Sequence, residues 1–323
     1  MSLICSGSLA FDRLMSYPGV FAESLIAEKI SQVSLSFLVD RVVRAYGGTA
    51  GNIAYNLGLL GEKPLVVASL GDDPDGADYL GRFKSWGFPG EGLKVHPGQM
   101  SASCTIVTDR DNSQFTFFHP GAMLAPTGFD PASLAPPLDR HLAIISAGGP
   151  AEMISLAETY NRLGLPFILD AGQQIHAFGR DELLTLSEGA RIFISNAYEF
   201  ELFKKITGLD LEELFHRVQT VIITRGAEGS ELLVPGRGSQ HISPMPVKRA
   251  VNPTGAGDAY RAGLMAALAR DEALVSACRL GSTVASFCVE AEGTQDQDFT
   301  VGEVLARHQA FYKESFIWLG AGK

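Results

Sequence analysis

Short apolar runs at residues 3–5, 65–68, 142–145, 167–169, 192–194 and 221–223 read as buried strands. Helical spacing of apolar positions falls between them, at 52–60, 76–86, 151–163, 197–206 and 211–218. Strand and helix alternating in this way predict a largely parallel sheet covered on both faces. Most of the runs end in polar or glycine-rich turns: Ser146-Ala147-Gly148-Gly149, Asp170-Ala171-Gly172, Ser195-Asn196 and Thr224-Arg225-Gly226. Open α/β sheets bind ligands beyond the carboxyl ends of their strands, so these turns are where chemistry is to be sought. Two segments break the alternation. Residues 17–44 carry Ile30, Val33, Leu35, Phe37 and Val39 with polar residues mostly between the last four. Residues 104–118 read as a β-hairpin, two apolar arms around the polar tip 109–113. Together they predict either a small antiparallel sheet closing over a substrate or an edge extension of the main sheet. From Ala256 onward the pattern is nearly all helix, through 271–289 and 301–312.

The 323 residues accommodate two average domains or one large α/β domain. Hydrophobic content of 46% with 19% charged residues describes a globular chain with a sizeable core. A net charge of −10 argues against a nucleic-acid partner. It leaves a nucleotide open, since main-chain dipoles and a metal can hold phosphate in an acidic protein. Cys5, Cys104, Cys278 and Cys288 are scattered in apolar contexts and read as buried free thiols rather than disulfides or a zinc site. Neither a signal peptide nor a membrane span is expected, and a cytoplasmic location is the default.

The candidate chemistry centres on Asn252-Pro253-Thr254-Gly255-Ala256-Gly257-Asp258, a loop that opens a helix. The free N–H groups of a helix start form an anion site, and glycines let an anion approach the main chain. One interpretation makes Asp258 a general base beside a phosphoryl group in transfer. The other makes the segment a tight turn and Asp258 a partner of the helix dipole. Asp12 follows the first strand and suits a vicinal diol, or caps a turn. Gly47-Gly48-Thr49-Ala50-Gly51-Asn52 opens another helix, with Asn52 either touching a polar ligand or acting as the cap. Asn196 and Glu199 form a capping-box pair or stand near a hydrated Mg²⁺. Thr224, Gly226 and Gly229 lie in a strand-end turn able to follow phosphates. Arg225 and Arg261 read as surface ion pairs, and His119 as a turn neighbour. Walker, His-Glu-x-x-His and Gly-x-Ser-x-Gly motifs are absent from the sequence.

Taken in order, these segments resemble the ribokinase-like (PfkB) family of carbohydrate and nucleoside kinases along nearly the whole chain. The resemblance implies a three-layer α/β/α sandwich with a mostly parallel central sheet and a small β-sheet lid, one domain over 1–323 with the lid from about 14–45 and 98–120. It implies that Asp258 is the catalytic base and that the amides of Gly255, Ala256 and Gly257 form an anion hole. Asp12, Gly47, Gly48 and Asn52 would bind the acceptor. Asn196, Thr224, Gly226 and Gly229 would bind the nucleotide, and Glu199 would hold Mg²⁺ through water. Asn252 stands where the family usually has Asp, in a region that borders a monovalent-cation site in many relatives, which puts potassium activation in question. Phe118-His119-Pro120-Gly121-Ala122-Met123, Asp170-Ala171-Gly172-Gln173-Gln174 and Val289-Glu290-Ala291-Glu292-Gly293-Thr294-Gln295 are similar to the adenosine-kinase-like prokaryotic members.

The expectation is an ATP- and Mg²⁺-dependent kinase acting on the 5′-hydroxyl of a ribonucleoside, adenosine first. A kinase of ribose, fructose or a related sugar is the alternative of the same chemistry. A non-catalytic nucleoside or sugar sensor on the same fold is the alternative of another class, and a Rossmann dehydrogenase is a more distant one. The expected partners are small molecules, without nucleic acid or membrane, in a monomer or homodimer.

Overall fold

The computed structural model describes residues 1–24, 34–111, 113–316 and 318. The chain begins with β1 (Ser2–Ser6), β2 (Ala10–Ser16), α1 (Phe21–Ser24), β3 (Arg41–Gly47) and α2 (Thr49–Leu59). Next come β4 (Leu65–Gly71), α3 (Pro74–Ser85), β5 (Leu93–His96), β6 (Ala102–Thr108), β7 (Gln114–His119) and β8 (His141–Ile145). The middle of the chain supplies α4 (Pro150–Leu163), β9 (Phe167–Leu169), α5 (Arg180–Ser187), β10 (Ile192–Asn196), α6 (Ala197–Thr207) and α7 (Leu211–Leu214). It closes with β11 (Val221–Thr224), β12 (Ser230–Val234), β13 (Gly238–Ile242), α8 (Ala256–Leu268), α9 (Leu274–Val289) and α10 (Val301–Tyr312).

Nine strands form the main sheet in the order β13-β12-β11-β10-β9-β8-β1-β4-β5. From β11 to β5 neighbours run parallel, and β12 and β13 add an antiparallel edge. The predicted strands are all present, and their side chains divide between two cores, which is why they read as continuous apolar runs. Leu3, Cys5, Leu142, Ile144, Ile192, Ile194 and Ile222 face one way, onto α2, α8 and α9. Ile4, Ala143, Ile145, Phe167, Phe193, Val221 and Ile223 face the other, onto α4, α5 and α6. The result is the expected three-layer α/β/α sandwich. Because β1 lies between β4 and β8, the chain moves to opposite sides after leaving it, and a crevice opens at its carboxyl end.

A second, four-stranded sheet has the order β3-β2-β6-β7. It is separate from the main sheet, so the edge-extension alternative is overturned, and it is mixed rather than antiparallel, because its two hairpins join through the parallel pair β2 and β6. The 104–118 hairpin is present as β6 and β7, antiparallel with Cys104 opposite Phe118. The other half of the expectation needs correction. Residues 34–39 form no strand, 25–33 lie outside the described residues, and the strands flank this segment as β2 and β3. Asp12 is therefore not at a turn after the first strand but the third residue of β2, paired across to Ala45 and Cys104. The polar residues of β2 and β3 hid the pairing, because one face of this sheet grips α3 by charge. Arg44 donates to Asp75 (2.7 and 3.0 Å) and to Asp78 (2.7 Å), and Arg13 to Asp75 (3.2 Å). Arg82 lies 4.1 Å over the Tyr46 ring, a cation–π contact on the same junction. α7 is a single turn that stops at Leu214 rather than Val218. All four cysteines are free, three buried and Cys104 half-buried.

Candidate active site

The carboxyl ends of β1, β8, β9, β10 and β11 and the starts of α2, α6 and α8 supply most of the candidate residues. Gly255 is the N-cap of α8, and its backbone is left-handed (φ 80°). A side chain there would meet Thr294, since a Cβ would lie 2.9 Å from its Cβ. The sharp entry aims the first amides of the helix outward. Among the described residues neither the Gly255 nor the Gly257 N–H has a protein acceptor, whereas the Ala256 N–H turns back on the Pro253 carbonyl (3.1 Å). The Gly255 and Gly257 amides are thus left available to a ligand, while that of Ala256 is shared with the turn. Asn252 holds that turn: its Oδ1 accepts from Thr254 N (3.0 Å), and its Nδ2 donates to the Glu292 carbonyl (2.7 Å).

Asp258, in the first turn of α8, accepts a hydrogen bond on Oδ2 from Asn52 Nδ2 at 2.8 Å. Burial raises its pKa to about 7. The Asn52 bond and Arg261 lower it, and the carboxylates of Asp170 and Asp12 add to the rise. A carboxylic acid poised near neutrality is suited to take a proton and give it up again. Asp12 is likewise raised, to about 6, by burial.

Asn52 is not the helix cap. Gly48 takes that position (φ 84°), and Asn52 is the fourth residue of α2, buried, with both ends of its amide engaged. Gly48 is confined by more than its φ, since a Cβ would stand 2.5 Å from the Ser8 carbonyl oxygen. Gly47 touches Asp12, with room for no Cβ beside that carboxylate. The fold thus brings Asp12, Gly47, Gly48, Asn52 and Asp258 together where the small sheet meets the starts of α2 and α8.

Arg261 corrects a prediction. It is not a surface residue but 5% exposed, and it forms a bidentate pair with Asp170 at the end of β9 (Nε–Oδ2 2.5 Å, Nη2–Oδ1 2.8 Å). Its Nη1 donates to the Gly257 carbonyl at 3.0 Å. Burial alone would lower the guanidinium's pKa, but Asp170, with Asp258 and Glu199, holds it above the ordinary range. A signal for this was available: Arg261 is a lone charge in the apolar run from Ala259 to Leu268, where a cation must be buried and partnered. Arg225 does form a surface ion pair, with Glu231 at 3.0 Å. His119 ends β7, exposed.

Asn196 and Glu199 make the reciprocal capping box of α6: Glu199 N donates to Asn196 Oδ1 (2.8 Å) and Asn196 N to Glu199 Oε2 (2.9 Å). Glu199 is buried, which raises its pKa against those bonds. Thr224 is in register with Asn196 across β10 and β11, and its hydroxyl donates to the Ser195 carbonyl (3.3 Å). Gly226 (φ 56°) and Gly229 (φ 88°) shape the turn from β11 into β12. Thr294 and Gln295 enter the sequence reading only through the resemblance of the 289–295 segment, and Gln297, just beyond that segment, not at all. Here Thr294 donates to the Tyr46 carbonyl (2.8 Å), Gln295 to Asn52 (3.0 Å) and Gln297 to Asn56 (2.9 Å), so it ties β3 to α2 beneath the crevice.

A three-layer sandwich with a mostly parallel sheet and a small separate sheet is the ribokinase-like fold. The model of the pfkB family of carbohydrate kinases matches residues 10–300, and the chain belongs to that family, ATP-dependent enzymes with a hydroxyl acceptor. A nucleoside kinase of Methanothermobacter thermautotrophicus is 29% identical over 310 residues, 95% of this chain and 96% of that protein. The structure of Burkholderia thailandensis nucleoside kinase in complex with inosine is similar at a TM-score of 0.85 and 35% identity, covering 97% of this chain and 99% of that one. That kinase in complex with ADP-inosine gives 0.82 and 34%, covering 97% of each chain. Among the described residues no helix is long and apolar enough to cross a membrane.

Proposed function

We propose that this kinase transfers the γ-phosphoryl group of ATP to the 5′-hydroxyl of a ribonucleoside. The observation that carries the chemistry is Asp258, raised to about 7 beside the free amides of Gly255 and Gly257. The similarity to nucleoside kinases over nearly the full length supports the acceptor class, and the inosine-bound neighbour supports a range wider than adenosine alone.

In this mechanism Asp12 accepts hydrogen bonds from the ribose diol, and Gly47 and Gly48 let the substrate lie against the main chain. The small sheet covers the crevice as a lid and excludes water. Asp258 takes the hydroxyl proton as the oxygen bonds to the γ-phosphorus and the bond to the ADP oxygen breaks. The α8 amides stabilise the charge on the transferred group. Thr224, Gly226 and Gly229 line the nucleotide side, with Asn196 at its edge. Glu199 would hold Mg²⁺ through water, and the ion would supply charge neutralisation at the phosphates. Glu199 suits an indirect role, because one of its oxygens is engaged in the cap and among the described residues no cluster of three ligating side chains forms a cage.

The test is ADP release measured with adenosine, inosine and other ribonucleosides against ribose and fructose. Turnover confined to nucleosides supports the proposal; turnover with free sugars only refutes it, and binding of nucleoside and ATP without product identifies a sensor.

A further inference from the structure

We propose that Gln295 is a positioning residue for the Asp258 base, fixing the Asn52 side-chain amide in the orientation that presents Nδ2 to the carboxylate. The proposal rests on Asp258 acting as the base, as argued above. A buried Asn amide can be turned by half a rotation, exchanging donor for acceptor. With Oδ1 turned toward Asp258, two acceptors would face each other and the charged base would lose its hydrogen bond.

The orientation is set from the other end of a hydrogen-bond chain. The Gly47 carbonyl can only accept, and the Tyr79 hydroxyl donates to it. With its proton used there, the Tyr79 oxygen is an acceptor, and it receives Gln295 Nε2 at 3.1 Å. The same Nε2 donates to Asn52 Oδ1 at 3.0 Å, so Asn52 must turn Nδ2 to Asp258, at 2.8 Å. The donor direction is thereby carried from the main chain of the substrate loop to the base without an ambiguous step. Tyr79, Gln295 and Asn52 are all buried (0%, 6% and 5% exposed), so water does not substitute for a missing link.

Two further features fit this role. Gly51 has no Cβ where one would lie 2.5 Å from Tyr79 Oη and 3.3 Å from Gln295 Nε2. Gln295 Oε1 is buried without a partner among the described residues, an unfavourable arrangement that a residue serving packing alone would not require. The other titratable groups that bear on Asp258 are Asp12 from β2, Asp170 after β9, Arg261 on α8 itself and Cys288 on α9. None of them contacts Gln295 by hydrogen bond.

The experiment compares Gln295→Glu and Gln295→Met with the wild type, using the acceptor the wild type turns over fastest. Glu offers Asn52 only acceptors and so turns its amide away from the base; Met removes the contact at similar volume and guards against a failure to fold. Both are expected to lose about 10–100-fold in kcat, the size of a hydrogen bond to a charged group, Glu the more. KM for ATP should stay within about twofold, and the acid limb of the kcat–pH profile should move upward by more than about half a unit. Wild-type kcat and an unmoved acid limb in both variants overturn the proposal. Asp258→Asn, run alongside, separates the two claims. If it is inactive while the Gln295 variants behave as wild type, only the positioning role fails. Near-normal turnover in Asp258→Asn removes the base, and the positioning role with it.

Discussion

Replacing Arg261 by Met keeps most of the side-chain volume but removes three hydrogen bonds and leaves Asp170 without its counter-charge. Both side chains are almost wholly buried, 7% exposed for Arg261 and 5% for Asp170, so solvent offers the orphaned carboxylate little relief. Breaking a buried pair from one side costs about 3–5 kcal/mol, because the remaining charge keeps its desolvation penalty and loses its attraction. In a chain of this size, with an unfolding entropy of about 2.1 cal/mol/K per residue, that corresponds to a fall in Tm of about 4–7 °C. Arg261→Met/Asp170→Leu removes both charges and should recover much of the loss, since the two substitutions share one interaction. Activity should not recover with it, because the Gly257 carbonyl still lacks the donor that steadies the first turn of α8. Urea and thermal unfolding followed by circular dichroism, with ADP release on the same samples, measure both effects. A loss below about 1 kcal/mol in Arg261→Met, or a double variant as unstable as the sum of the single ones, refutes the reasoning.

Three more outcomes are expected. With Asp258 raised to about 7, kcat/KM should rise with pH through about 7 and level off above it, and Asn52→Ala, which removes a bond that lowers the pKa, should move that limb to higher pH; an acid limb near 4 contradicts this. The folded pKa lies above the unfolded value, so the stabilising contribution of Asp258 is full below about 4 and is lost as pH rises through about 7. Asp258→Asn should therefore unfold at a temperature equal to or above the wild type's at pH 8, and a clear drop argues against it. Gly48→Ala should lose about 2–4 kcal/mol, combining a positive φ with a close approach to Ser8, whereas Gly61→Ala, at φ 82° with open space around it, should lose only about 1 kcal/mol; equal urea midpoints contradict the steric account.

The main sheet was legible because its strands are buried on both faces: Leu3 and Ile4 point into opposite cores yet are equally apolar. The small sheet was half legible. Its β6–β7 hairpin has a polar tip between apolar arms, but Asp12 and Arg13 in β2, and Arg41 and Arg44 in β3, are polar positions inside strands. One face of that sheet carries Asp12 beside Gly47 and the other is held by Asp75 and Asp78 on α3, and such tertiary pairing leaves no local periodicity. The backbone of the candidate site was legible where it is local, in the glycine-led helix starts at Gly255-Ala256-Gly257-Asp258 and Gly47-Gly48. It was not where residues far apart in the chain meet: Arg261 with Asp170, and Gln295 with Asn52, lie 91 and 243 positions apart. The capping box of Asn196 and Glu199 was legible as structure, and the structure supports that role directly.

The central claim, that Asp258 is the base of a ribonucleoside kinase, is tested most directly by ADP release from the wild type and Asp258→Asn with inosine and adenosine at saturating ATP. The account predicts steady turnover by the wild type and a loss of about 100-fold or more in the variant, with ATP affinity retained. Turnover in Asp258→Asn close to that of the wild type would contradict it.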